Sequence, residues 1–134
     1  MSSTITFDAV TKSYPAGKGA ESGSPAVDSF TARIEAGTTT VLLGSSGCGK
    51  TTLLRMVNRM VEPSSGRVLI DDEDVATRDA VALRRSIGYV MQNAGLLPHR
   101  RVIDNITLVP RLQGADRHDA RCRALELMDM LDLD

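Results

Sequence analysis

Residues 44–51 read G-S-S-G-C-G-K-T, with a second threonine at 52, and fit the spacing G-x-x-x-x-G-K-[ST] of a phosphate-binding loop. Gly44, Gly47 and Gly49 carry no Cβ, so the backbone bends tightly and approaches an anion closely. Successive N–H groups of Ser45, Ser46, Gly47, Cys48 and Gly49 then point inward and cradle phosphate. A helix opening near Lys50 aims its positive dipole end at the same charge. Lys50 reaches the terminal phosphates as a point charge, and the Thr51 hydroxyl is placed for a magnesium ion, with Thr52 beside it.

The flanks agree. T-T-T-V-L-L (38–43) is a β-branched, apolar run and predicts a buried strand feeding the loop. Leu53, Met56, Val57 and Met60 then recur at i, i+3, i+4, i+7 and predict a helix to about Val61. Strand, glycine loop and helix together are the context that separates this motif from a glycine-rich turn without a ligand.

Bulk properties exclude several classes. The net charge of −1 gives no basic surface for nucleic acid or anionic lipid. No apolar run approaches the ~18 residues of a membrane span. The start, M-S-S-T-I-T-F-D, lacks the basic and apolar regions of a secretory signal, which makes a cytosolic location the expectation. Cys48 and Cys122 form neither a disulfide framework nor a zinc pattern.

Along the chain, 4–10 reads as a strand, 13–25 as a long Gly/Ser/Pro-rich loop, and 26–37 as a strand returning antiparallel. E-P-S-S-G (62–66) stops the first helix, R-V-L-I (67–70) is a short strand, and D-D-E-D (71–74) is a solvated acidic turn. Thr77 caps a helix to about Ser86, and I-G-Y-V-M (87–91) forms another strand ending at Gln92. A helical segment covers 102–112. After the break at Gly114, Asp116 caps a last helix with Ala120, Ala124, Leu127 and Leu131 on one face. Met56, Met60, Met128 and Met130 are read as core filling, and Cys122 and His99 as ordinary packing and loop residues.

Four features, collinear over nearly the whole chain, resemble the ATP-binding subunits of ABC transporters: Tyr14 upstream of the loop, G-S-S-G-C-G-K-T-T (44–52), V-N-R-M-V-E-P-S-S-G-R-V-L-I-D (57–71), and I-G-Y-V-M-Q (87–92). L-R-R-S (83–86) and the run to Ile106, with Q-N-A-G-L-L-P-H (92–99), look like the branch importing quaternary-amine osmoprotectants. Two departures stand out: D-D-E-D replaces the family's glycine-containing turn, and the loop after Tyr14 is longer than usual.

The resemblance implies an α/β P-loop NTPase fold, an ABC-type nucleotide-binding domain with an antiparallel N-terminal β portion and a parallel core sheet. Residues 1–134 match the N-terminal portion of that domain, with the L-S-G-G-Q signature and the acidic catalytic pair missing, so the parallel sheet is expected to be incomplete. It implies ATP with Mg²⁺, adenine stacked on Tyr14, phosphates on 44–52, and the metal on Thr51 and Gln92, with Gln92 the one catalytic-site residue. It implies a second nucleotide-binding subunit, membrane-spanning permease subunits, no nucleic acid, and a cytoplasmic position peripheral to the membrane. ATP hydrolysis belongs to the intact family, and these 134 residues alone are expected to be inactive. A nucleotide-binding module without turnover, and a P-loop ATPase outside transport, are the competing readings.

Overall fold

The computed structural model describes residues 2–14, 24–92 and 95–133. Most of the predicted loop 13–25, and Asn93, Ala94 and Asp134, lie outside them. The chain divides into two compact units, Met1–Arg84 and Arg85–Asp134.

The first unit is built on an antiparallel sheet of order β2-β1-β3-β4, with β1 at Ile5–Lys12, β2 at Val27–Ile34, β3 at Ser65–Ile70 and β4 at Glu73–Asp74. The antiparallel return predicted for 26–37 is β2: Ile5 pairs with Ile34 and Phe7 with Ala32. On its other edge β1 pairs with β3, Ile5 opposite Ile70 and Phe7 opposite Val68. The alternation in β1 is only partial because the strand bulges. Ala9 takes a φ of 48°, and the register shifts between Phe7 and Val10, so both of those side chains are buried. Threonines satisfy the displaced donors: Ala9 N–H donates to Thr31 Oγ1 at 3.0 Å, and Ser29 N–H to Thr11 Oγ1 at 3.0 Å. Gly66 is required opposite the bulge, since a Cβ there would meet Ala9 O at 2.3 Å.

α1 (Lys50–Val57) packs against β3, and Leu53, Met56 and Val57 join Phe7, Val10, Val68 and Ile70 in the core. Phe7 and Phe30 meet edge to face, 5.4 Å between centroids. α1 ends four residues before the predicted Val61. Arg59 adopts a left-handed φ of 55°, its N–H donates to Met56 O at 3.1 Å, and Met60 N–H to Arg55 O at 2.9 Å. This is a Schellman ending with arginine where glycine is usual, which is why the stop is hard to read from sequence. Met60, past that stop, is exposed rather than core-filling. Arg84 covers the helix end, donating to Asn58 O at 3.1 Å and Arg59 O at 2.6 Å.

The acidic turn is a tight hairpin. Asp71 and Asp72 both have positive φ, 52° and 64°, and Ile70 pairs with Glu73 across them. Two stretches read as strands are not in ladders. Residues 38–43 and 87–91 pair with no strand among the described residues, and Val41, Leu43 and Val90 are 70%, 88% and 97% exposed. Their apolar composition suits a strand buried on both faces, but such a strand also needs a neighbour on each edge. The cap of α2 (Ala80–Ser86) also differs from the expectation. A 3-10 turn occupies Val75–Thr77, and Asp79 Oδ1 accepts from Ala82 N–H at 2.7 Å, the role assigned to Thr77.

In the second unit the predicted segment 102–112 is two short helices, α3 (Val102–Ile106) and α4 (Leu108–Leu112). Pro110, with no N–H to give, prevents a continuous ladder, and Thr107 Oγ1 donates to Ile103 O at 2.8 Å at the break. Asn105 holds the preceding loop, accepting from Leu97 N–H at 2.8 Å and donating to Arg101 O at 3.1 Å. α5 (Arg117–Met130) begins at Asp116 as predicted, whose carboxylate accepts from His118 N–H at 2.7 Å. Of the face predicted for it, Ala120 and Ala124 are buried, Leu127 is half-buried and Leu131 is exposed; Met130, read as core filling, is exposed too.

Candidate functional site

The glycine loop lies between β2 and α1 in sequence, and its geometry is set from both sides. Gly49 is the N-cap of α1 in the left-handed region, φ 92°. A Cβ there would sit 2.3 Å from Ala26 O and 3.1 Å from a Val27 methyl, so the loop is pressed directly onto the start of β2. A Cβ at Gly44 would lie 2.5 Å from Cys48 Sγ. The two ends of the loop are therefore folded onto one another as closely as glycine permits.

Lys50 lies inside this fold. Its Nζ donates to Gly44 O at 2.8 Å and Ser45 O at 2.7 Å, and lies 3.3 Å from Cys48 Sγ. The ammonium is thus held above its own loop, with no carboxylate bonded to it among the described residues. No side chain caps α1, so the first N–H groups of the helix are left for an anion. A glycine cradle, a lysine that among the described residues is bonded to no carboxylate, and an uncapped helix start are a donor set suited to phosphate.

Ser45, Ser46, Gly47, Cys48 and Thr51 are exposed along this loop, and Thr52 is half-buried on the first turn of α1. Beside Lys50 is a cavity of about 320 Å³, lined also by Asp28, Phe30, Val41, Leu43 and Cys48. Asp28 was missed in the sequence, where it reads as one more outward position of an alternating strand. It shares the lining of this cavity with the lysine.

Tyr14 follows β1 and is 56% exposed, with the Lys12 ammonium 5.3 Å from its ring centroid. Gln92 is exposed and ends no strand. It belongs to the second unit, while Thr51, its expected partner in holding a metal, belongs to the first. Among the described residues no group of three His, Cys, Asp or Glu side chains is arranged to hold a metal ion. His118 and Cys122 face each other one helical turn apart on α5, Sγ to Nδ1 3.8 Å, away from all of these residues in sequence.

Residues 27–134 match the family model described as "ABC transporter". The osmoprotectant import ATP-binding protein OsmV of Salmonella typhimurium is 48% identical over 130 residues, 97% of this chain and 34% of that protein. The carnitine transport ATP-binding protein OpuCA of Listeria monocytogenes is 43% identical over 129 residues, 96% of this chain and 31% of that protein. Among solved structures, the dimeric post-hydrolysis state of the ATP-binding cassette MJ0796 bound to ADP and Pi has a TM-score of 0.83 at 27% identity. That match covers 97% of this chain and 58% of the other. The chain spans about a third of the length of these curated relatives.

Proposed function

From the premise that this chain belongs to the ABC transporter family and has the fold of its ATPase domain, we propose that it is the ATP-binding portion of a subunit that powers an importer. The observation that carries this is the Lys50 ammonium, held at 2.7–2.8 Å by two loop carbonyls over an uncapped helix start. Carbonyls that merely shelter a cation give it up to a phosphate, whose full negative charge adds a Coulombic attraction that a carbonyl dipole lacks. Residues 44–52 hold the phosphates, and Tyr14 takes the adenine. Thr51 and Gln92 hold Mg²⁺, which when bound neutralises phosphate charge.

The imported solute we propose is a quaternary-amine osmoprotectant. This is supported by the identity to proteins named for osmoprotectant and carnitine transport, and by L-R-R-S (83–86) and Q-N-A-G-L-L-P-H (92–99) in this chain. The partners are a second nucleotide-binding subunit, as in the dimeric MJ0796 structure, and membrane-spanning permease subunits, against which the chain lies on the cytoplasmic side. No helix among the described residues is long and apolar enough to cross a membrane.

Lys50→Ala tests the loop. Calorimetric titration with Mg-ATP is expected to show affinity reduced at least about tenfold, the loss of a charged hydrogen-bonding partner. Equal affinities would place the nucleotide elsewhere.

A further inference from the structure

We propose that Lys12 and Ser64 are positioning residues that hold the Tyr14 ring for adenine, and that α1 ties this base-binding element to the phosphate loop. The proposal rests on the assignment of Tyr14 to the base.

Tyr14 follows the last residues of β1 at the edge of the described segment. The ring is 56% exposed, and the turn 62–64 grips the two residues before it. Ser64 N–H donates to Thr11 O at 2.7 Å. Ser13 N–H donates to Ser64 Oγ at 3.2 Å, and Ser64 Oγ returns a longer contact to Ser13 O at 3.4 Å. One hydroxyl thus takes over the backbone pairing of Ser13 just past the end of the strand.

Lys12 fixes the ring itself. Its Nζ donates to Glu62 O at 2.7 Å and lies 5.3 Å from the Tyr14 centroid, within cation–π range. An ammonium anchored on one face orients the ring and leaves the opposite face for a base. Glu62 is in turn held from the helix side. Arg59 donates to Glu62 Oε1 at 2.9 Å and to Arg78 O at 2.8 Å. Arg59 is the left-handed residue that ends α1, and Lys50 begins the same helix. The connection from phosphate to base therefore runs from Lys50 through α1, about 12 Å long for its eight residues, and then through Arg59, Glu62 and Lys12 to Tyr14. α1 has already ended at Arg59, and E-P-S-S (62–65), read in the sequence as the helix stop, is the seat of the ring.

The test compares Mg-ATP with Mg-tripolyphosphate, which has the phosphates without the base, by calorimetric titration of the chain. Wild type, Tyr14→Ala, Lys12→Met, Lys12→Arg, Ser64→Ala and Ser64→Thr are measured, each shown to melt like wild type. Lys12→Met and Ser64→Ala are expected to weaken ATP about three- to tenfold, the scale of one cation–π contact or one hydrogen bond. Tripolyphosphate binding should not change. Lys12→Arg and Ser64→Thr should restore ATP affinity, and Lys12→Met should add nothing in a Tyr14→Ala background. If Tyr14→Ala weakens ATP while Lys12→Met and Ser64→Ala do not, the positioning role is wrong and the stacking assignment stands. If Tyr14→Ala leaves ATP affinity unchanged, the stacking assignment itself fails. Equal losses for ATP and tripolyphosphate in Lys12→Met would mean a general distortion and overturn the proposal.

Discussion

Cys48 lies between two constraints of the loop, its sulfur where a Cβ on Gly44 would clash and 3.3 Å from the Lys50 ammonium. The side chain is nevertheless exposed, so a thiol reagent reaches it from the face that the phosphates would cover. Alkylation followed by mass spectrometry should therefore show Cys48 slowed by Mg-ATP, with the exposed Cys122 on α5 as an unaffected reference. Protection at Cys122 without protection at Cys48 would contradict the placement of the nucleotide. At this scale the loop was legible, because the spacing of glycines and lysine encodes its own bonding. The groups that make Gly49 obligatory were not: Ala26 O and Val27 are far off in sequence and leave no pattern near residue 49. Asp28 was hidden for the same reason, lying far in sequence from the Lys50 whose cavity it shares, and so was the role of Lys12, whose anchor Glu62 is equally distant.

Among the elements, those with local punctuation were readable. Asp116 announced α5, and the acidic pair Asp71–Asp72 formed a turn whose two left-handed residues suit aspartate. α1 stops short of its prediction because arginine stands where glycine would mark the stop. The Asp116 cap also carries a pH dependence. Hydrogen bonds from the His118 N–H, and then the Asp119 N–H, hold its carboxyl below the usual carboxylate range. A depressed folded value means that folding favours the charged form. The resulting stabilisation is complete above the ordinary aspartate value, near about 3.9, and is lost as pH falls through the lower folded value. Far-UV circular dichroism on acidification should therefore show an earlier and larger loss of helix in wild type than in Asp116→Asn, whose amide oxygen still caps but does not titrate. Identical acid profiles would remove Asp116 from the titration. Asp71, lowered by the Ser3 hydroxyl and then the Thr4 N–H, contributes with the same sign in both proteins.

For the molecule as a whole, the family fold was legible in four collinear motifs, while the strands 38–43 and 87–91 were not realised as such. Their β-branched and apolar residues record the demand for burial, but not whether a neighbour is there to meet it. Exposed to this degree, Val41, Leu43 and Val90 are expected to favour association with other copies of the chain. Light scattering and thermal melting over a concentration series should find the chain self-associating or only marginally stable. A monodisperse monomer with a cooperative melt above about 65 °C would refute this. The sheet has one more consequence. Ile5 pairs with both Ile34 and Ile70, so everything between those partners, including the phosphate loop and α1, forms a ring closed on a single rung of β1. The first closure is short, while the second must span the whole loop and helix, and the longer search carries the greater entropic cost. The grip on Ser13 and Lys12 comes from residues just ahead of β3, so it cannot form until that second closure is made. During folding, then, the loop and α1 can take shape early, while the grip on Lys12 and Ser13 beside Tyr14, the proposed base platform, waits for β3 to dock.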